Sequence, residues 1–254
     1  MQHTILITGA TSGIGKAIAE KFAENEWNCI ITGRREERLM QLKNELKNKH
    51  NIKVLSLCFD VRDRQAVFEQ INSLSGEWKN IEVLVNNAGL ALGRSNFEES
   101  DIEDWETMID TNLKGLLYVS KAVVPLFIEK KQGHIINIGS IAGKEVYPMG
   151  NVYNLTKHGV DSISRSMRME LLRHHIKVTA VHPGAVDTEF SDVRFKGDKV
   201  KRDAVYAGYE PLHAKDVAEI IYYTATLPKH VCINDMVVTC TAQANSYVTY
   251  IEKK

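Results

Sequence analysis

The sequence predicts an α/β fold, a doubly wound parallel sheet with helices on both faces. Short apolar runs such as Ile5-Leu6-Ile7, Cys29-Ile30-Ile31 and Val83-Leu84-Val85 recur between longer stretches of helical period, and a run apolar at every position is what a strand buried on both faces requires. A glycine-rich turn, Thr8-Gly9-Ala10-Thr11-Ser12-Gly13-Ile14-Gly15, joins the first run to the first helical stretch. Glycines, asparagines and a serine punctuate the carboxyl ends of the later runs, the edge at which open α/β sheets take their ligands. Strand and helix in alternation imply right-handed crossovers and a sheet covered on both sides.

Ile5 to Ile7 is the first strand, and Lys16 to Ala23 lies in the first helix. Between them Gly9, Gly13 and Gly15 let the backbone turn sharply and let a pyrophosphate approach with no Cβ in the way. Thr11, Ser12 and Ile14 complete the turn, which ends on free N–H groups and the positive end of a helix dipole. The spacing Thr-Gly-x-x-x-Gly-x-Gly departs from the G-x-G-x-x-G dinucleotide fingerprint. Asn28 to Thr32 follows as the second strand, then Gly33-Arg34-Arg35 and a charged amphipathic helix over about Glu36 to Asn48. In NAD sites an acidic residue at that strand end bonds the adenosine ribose, whereas an arginine pairs with a 2′-phosphate. Gly33 stands where the acid would, next to Arg34 and Arg35, so the sequence predicts NADP. Cations at a helix start oppose its dipole, which argues against arginines placed there only for solvation.

Lys53 to Phe59 reads as the third strand, ending on Asp60-Val61, with a helix over Asp63 to Leu74. Ile81 to Val85 is the fourth, closed by Asn86-Asn87-Ala88-Gly89. Asp104 to Ile128 has helical period with an interruption around Asp110-Thr111-Asn112, because an asparagine inside a helix competes for backbone hydrogen bonds. His134 to Ile138 is the fifth strand with Gly139-Ser140 at its end, and a long helix follows over about Asn151 to His174. Ile176 to Val181 is the sixth strand, closed by His182-Pro183-Gly184. The glycine turn, Arg34, Asp60, Asn86 to Gly89, Ser140 and Pro183-Gly184 thus all fall at strand carboxyl ends, as a Rossmann-type crevice requires.

Tyr153 and Lys157 stand four apart on the long helix, hence on one face. The same spacing at Tyr250 and Lys254 reads as a frayed tail. A phenol is protonated at neutral pH unless a nearby ammonium stabilises the phenolate. With Lys157 beside it, Tyr153 can trade a proton with a substrate oxygen.

The glycine spacing, Asn86-Asn87-Ala88-Gly89, and the set Asn112, Ser140, Tyr153 and Lys157 together resemble the short-chain dehydrogenase/reductase family over nearly the whole chain. The resemblance implies that Tyr153 is the acid-base group, that Ser140 holds the substrate oxygen, that Lys157 bonds the nicotinamide ribose and that Asn112 holds a water linking Lys157 to solvent. Hydride then moves between a substrate carbon and the nicotinamide. The resemblance further implies that Asp60 and Val61 border the adenine, that Asn87, Ala88 and Gly89 border the coenzyme, and that Pro183, Gly184, Val186 and Thr188 close on the nicotinamide.

Thr32 to Arg35, Leu90 to Gly93, Asp104 to Asn112, Thr188 to Ser191 and Val193 to Asp198 are similar to the NADP-dependent 3-hydroxy acid dehydrogenases, the L-serine and L-allo-threonine dehydrogenase group. That likeness implies small 3-hydroxy acids as substrates and a homotetramer. A lid over about 189–210 carries Arg194 and Lys196, either of which could reach a carboxylate, while Lys144 to Tyr147 lines the expected substrate mouth. An NADPH-dependent reductase of other ketones or aldehydes uses the same machinery and is one alternative. A non-catalytic NADPH-sensing protein is the other, and the four site residues kept together argue against it.

Composition narrows the rest. The 254 residues, 44% apolar, read as one catalytic domain over 1–254, with no linker, repeat or low-complexity tract. Lysine plus arginine equals aspartate plus glutamate at 32 each, which favours neither nucleic acid nor an anionic membrane. Leu113 to Ile128 is the longest apolar helical stretch, but it carries Lys114, Lys121 and Pro125 and does not read as a membrane span. A strand begins too near the N-terminus for a signal peptide. Cys29, Cys58, Cys232 and Cys240 show no C-x-x-C spacing; the first two read as buried thiols, and a reducing cytoplasm fits them. No metal is expected, since the histidines show no ligand spacing.

Overall fold

In the computed structural model, which describes residues 2–251, the chain alternates strand and helix from its start. β1 (Thr4–Ile7) leads to α1 (Gly13–Glu24), β2 (Asn28–Gly33) to α2 (Glu36–Lys49), and β3 (Val54–Cys58) to α3 (Arg64–Asn72). β4 (Val83–Asn86) is followed by α4 (Ile102–Ile109), a π-helical turn over Asp110–Gly115 and α5 (Leu116–Lys130). β5 (Gly133–Ile138) precedes α6 (Asn151–Leu171), which leads to β6 (Ile176–Pro183). The last part comprises β7 (Val186–Asp187), the short helices α7 (Glu189–Arg194) and α8 (Lys199–Ala204), β8 (Leu212–His213), α9 (Ala214–Thr226) and β9 (Asp235–Val238).

Seven strands form one parallel sheet in the order β3-β2-β1-β4-β5-β6-β9, and β7 pairs with β8 separately. The register sets Leu6 between Ile30 and Leu84, and Asn86 beside Asn137. The chain winds outward from β1 to β3, then returns to β4 and winds the other way. Its order therefore reverses between β1 and β4, and a crevice opens beyond their carboxyl ends.

Side-chain alternation explains why the strands are apolar at every position. Ile5 and Ile7 turn to one face, against Ile18 and Phe22 of α1, Leu42 of α2 and Ile221 of α9. Leu6 turns to the other, against Val67 of α3 and Phe127 of α5. Both sides of the sheet are thus buried, so a polar residue in either set would meet a packed helix.

Element positions follow the sequence expectation with shifts at the ends, and each shift has a cause. β6 runs past Val181 because β9, which the sequence reading did not contain, pairs Val238 with Pro183. The long helix ends at Leu171; Leu172–His174 tightens into a 3₁₀ turn before His175 reverses the chain at φ 58°. The interruption near Asn112 is the π-helical turn, where Gly115 passes so close to Val61 that a Cβ would lie 2.7 Å from its Cγ2. Cys29 is buried as expected, but Cys58 is exposed because β3 is the sheet edge. Among the described residues no helix is long and apolar enough to cross a membrane. Met1 and residues 252–254, with them the ends of the 1–254 domain and Lys254 of the second Tyr-Lys pair, lie outside the described residues.

Candidate active site

The glycine turn is built for close approach. Gly9 and Gly13 both adopt left-handed backbone, at φ 66° and 52°, which costs a non-glycine residue steric energy. Gly15 has no room for a side chain, since a Cβ would lie 2.3 Å from the Gly9 carbonyl oxygen and 2.4 Å from Asn87 Nδ2. The Asn86-Asn87-Ala88-Gly89 segment is stitched to this turn. Thr8 Oγ1 accepts from the N–H groups of Asn87 and Ala88 at 3.0 Å each, and Asn87 Nδ2 donates to the carbonyls of Thr8 and Gly9 at 2.9 and 3.1 Å. Asn86 points instead into the core, donating to Ser120 and Asn137.

At the end of β2, Arg35 Nη2 donates to Thr11 Oγ1 at 2.8 Å and to Ser12 Oγ at 3.0 Å, so its guanidinium stands over the turn. Arg34 Nη1 lies 3.5 Å from Asp60 Oδ2. Partial burial pushes the Asp60 carboxyl up, but hydrogen bonds and charge from Arg62, aided by Arg34, hold it below its ordinary value.

These groups share one cavity of about 310 Å³ at the carboxyl ends of the strands. Thr11, Ser12, Gly13 and Ile14 line it with Gly9, as do Arg34, Arg35, Asp60 and Val61. So do Asn87, Ala88, Gly89, Ser140, Tyr153, Lys157, Pro183, Gly184, Val186 and Thr188. Gly15 and Asn112 do not; they act from behind the lining. Asn112 Oδ1 accepts from Leu90 N at 2.8 Å, and its Nδ2 donates to Leu90 O at 2.8 Å and Thr156 Oγ1 at 3.0 Å. The wide π-helical turn carries that amide inward, where it ties the loop after β4 to α6. Asn112→Ala strands the buried Leu90 N–H and C=O, and an expected loss of about 2 kcal/mol in unfolding free energy can be read from urea titration.

Tyr153 and Lys157 lie one turn apart on α6, both buried. Lys157 Nζ donates to the Ile138 carbonyl at 3.0 Å, and burial pulls its pKa down to about 8. Gly89 keeps space for Asn112, since a Cβ there would lie 3.2 Å from its Oδ1. Burial pushes the Tyr153 phenol up, and the nearby Tyr147 hydroxyl adds to the rise; Ser140 and Arg194 oppose it. Arg194 is thus a cation that counters the rise, 5.5 Å from the ring centroid, which the sequence reading did not foresee. Lys157 Nζ is drawn to Ile138 and stays 5.9 Å from the ring centroid of Tyr153.

The two lid cations separate clearly. Lys196 turns outward to Asp104 at 2.9 Å. Arg194 turns inward: its guanidinium carbon lies 5.5 Å from the Tyr153 ring centroid and 5.7 Å from that of Tyr147, and Nη2 donates to Tyr147 Oη at 3.0 Å. Its Nε is buried with no hydrogen-bond partner. A buried, unpaired donor beside the phenol needs an acceptor.

Lys144 departs from the expected substrate mouth. Its ammonium joins Asp161 of α6, at 2.8 Å, to Asp235 of β9, at 2.5 Å. His182, buried beside both carboxylates, approaches the Ser140 carbonyl through Nδ1 at 3.2 Å. Their ligand atoms come within 4.8 Å of one another, close enough for a metal, but the Lys144 ammonium already bridges the two carboxylates and Arg165 pairs with Asp161 as well. Sequence reading assigned no separate role to Glu189 and Phe190, which line the cavity from α7; only the turn-helix pattern after Pro183 hinted at them.

A nucleotide-shaped crevice with a tyrosine and lysine on one helix at its floor defines a coenzyme-dependent oxidoreductase. The chain belongs to the short chain dehydrogenase family, whose pattern matches residues 3–199. It is 49% identical over 231 residues to an NADP-dependent 3-hydroxy acid dehydrogenase of Salmonella typhi, covering 91% of this chain and 92% of that one. It is 46% identical over 245 residues to sulfoacetaldehyde reductase 2 of Chromohalobacter salexigens, covering 96% of each. Among solved structures, a closed form of serine dehydrogenase complexed with NADP+ superposes with a TM-score of 0.91 at 45% identity, over 98% of this chain and 100% of that one.

Proposed function

We propose that the chain is an NADP-dependent dehydrogenase of small 3-hydroxy acids such as L-serine or L-allo-threonine. The observation that carries the substrate class is Arg194, a half-buried arginine whose guanidinium lies over the acid-base tyrosine with its Nε buried and unpaired. Such a group selects a substrate that holds an anion a few bonds from its reacting carbon. The names of the relatives support the coenzyme and the acid.

Bound NADP supplies the hydride chemistry. The residues fit it: Gly9 and Gly13 leave a cradle that side chains would fill, since a Cβ on Gly9 would lie 2.9 Å from Ala88 Cα and one on Gly13 3.3 Å from Thr188 Cβ. Thr11, Ser12 and Ile14 complete the pyrophosphate seat, with Gly15 behind it. Arg34 and Arg35 take the 2′-phosphate, Asp60 and Val61 border the adenine, and Asn87, Ala88 and Gly89 border the remaining coenzyme. Pro183, Gly184, Val186 and Thr188 flank the nicotinamide. Lys157 bonds its ribose, and Ser140 Oγ fixes the substrate oxygen. Tyr153 Oη gives that oxygen a proton in reduction or removes one in oxidation. Asn112 holds the water that relays protons from Lys157.

We read residues 189–210 as the lid of one catalytic domain. A homotetramer is supported by the exposed Leu155 and Met169 of α6 and Leu117 of α5, and a reducing cytoplasm suits four free cysteines.

Initial rates of NADP reduction with L-serine, L-allo-threonine, 3-hydroxyisobutyrate and 3-hydroxypropionate test the reading, each repeated with NAD. 2-Hydroxyethanesulfonate serves as a sulfonate comparator. Turnover on a carboxylate with NADP, and little with NAD, is the expected result. A preference for the sulfonate or for neutral ketones moves the substrate class, and NADPH binding without turnover leaves only a sensor.

A further inference from the structure

Glu189 opens α7 across the crevice from the end of β2, and two guanidiniums there hold its carboxylate. Arg38 Nη1 donates to its oxygens at 3.0 and 2.8 Å, and Arg35 Nη1 donates to Oε2 at 3.3 Å. Arg35 at the same time reaches Thr11 and Ser12 of the glycine turn, and both Arg35 and Glu189 line the cavity. The hydrogen bond from Arg38 foremost, with Arg35 adding to it, holds the Glu189 carboxyl below its ordinary range, so it is an anion at neutral pH. Arg34 is differently placed, since it faces Asp60.

We propose that Glu189 tunes coenzyme selectivity, as the anion with which a 2′-phosphate must compete for Arg35 and Arg38. The inference rests on the NADP reading above and adds a residue to it. With Arg35 Nη2 committed to Thr11 and Ser12, its Nη1 and Arg38 Nη1 are both engaged by Glu189. A phosphate dianion brought to these donors displaces the carboxylate or sits beside it, and two anions at that separation repel. A coenzyme without the 2′-phosphate makes no claim on the arginines and does not feel the competition. Glu189 therefore sets NADP affinity below what the arginines alone would provide. Because the ion pairs are about half exposed, the effect is moderate and salt-sensitive.

Calorimetric titration of the full chain with adenosine 2′,5′-bisphosphate and with adenosine 5′-monophosphate isolates this contact from the nicotinamide end. Glu189→Gln keeps the shape of the side chain and the start of α7. It is expected to tighten the bisphosphate on the order of fivefold and to leave the monophosphate unchanged. If the unsubstituted protein prefers the bisphosphate but Glu189→Gln leaves that affinity unchanged or weaker, Glu189 orients the arginines and does not compete, and the proposal is overturned. If the unsubstituted protein binds both nucleotides alike, the NADP reading itself has failed and the role of Glu189 falls with it.

Discussion

Tyr153→Phe is expected to lower kcat by about a hundred- to ten-thousand-fold in both directions while leaving NADP affinity nearly unchanged. The ring stays and the hydroxyl goes. The aromatic body of Tyr153 packs near Phe190, with centroids 5.8 Å apart, and none of that contact needs the phenolic oxygen. Removing a buried hydroxyl from this setting should not lower thermal stability, so a lost rate cannot be blamed on a lost fold. The protonation state of the phenol adds a second readout. Burial holds Tyr153 above its ordinary value, so the neutral phenol dominates at physiological pH and is ready to donate to an oxygen in reduction. Oxidation needs the phenolate as base, and its rate should climb as pH rises toward the phenol's value, whereas reduction should fall over the same alkaline limb. Steady-state rates of both reactions across pH check the sign. Retention of substantial turnover by Tyr153→Phe, or an alkaline limb that survives it, would remove Tyr153 from the acid-base role.

Lys157 titrates in a different window and can be told apart. Its folded value, about 8, lies below the ordinary lysine value near ~10.5. Between those two values the unfolded chain binds a proton that the native protein does not, so Lys157 makes stability rise with pH across that window. Below it, the buried ammonium is charged in both states, and its desolvation weakens the fold.

Much of the fold was legible because both faces of its sheet are buried. Ile5, Leu6 and Ile7 could not all be apolar in a strand with one wet face. The glycines were legible because Gly15, pressed against Gly9 and Asn87, admits no other residue. β9 was not. Asp235–Val238 alternates exposed and half-buried positions at the sheet margin, so it carries neither a continuous apolar run nor a sharp turn signal. Contacts between distant parts of the chain were equally hidden: Arg35 and Glu189 are 154 residues apart and each looks like an ordinary charge on a helix start. Lys144 shows the same limit from the other side, because nothing local announces that Asp161 and Asp235 will converge on its ammonium. Arg194 and Lys196 could not be separated either. Two residues' difference at the end of a helical turn decides which cation turns toward Tyr153, and α7 ends between them.

Arg194→Gln is expected to reduce kcat/KM for L-serine by about ten- to a hundredfold, most of it through KM, because a charge-assisted pair with the substrate carboxylate is worth roughly 1.5–3 kcal/mol. Lys196→Gln removes the same charge from the same segment but only breaks a pair with Asp104 in which the ammonium is exposed, and should change kcat/KM by less than about threefold. The specificity ratio is the discriminating measurement. A neutral secondary alcohol of similar size has no anion for Arg194, so its kcat/KM in Arg194→Gln should fall only as far as the phenol is affected. That smaller effect has a defined origin: Arg194 opposes the rise of the Tyr153 pKa, so its removal moves the alkaline limb of oxidation to higher pH for every substrate alike. Arg194→Lys keeps the charge but not the planar donor geometry and should recover part of the acid specificity. Equal losses for the acid and the neutral alcohol, with the ratio unchanged, would mean that Arg194 serves the tyrosine alone and that the carboxylate is held elsewhere in the cavity.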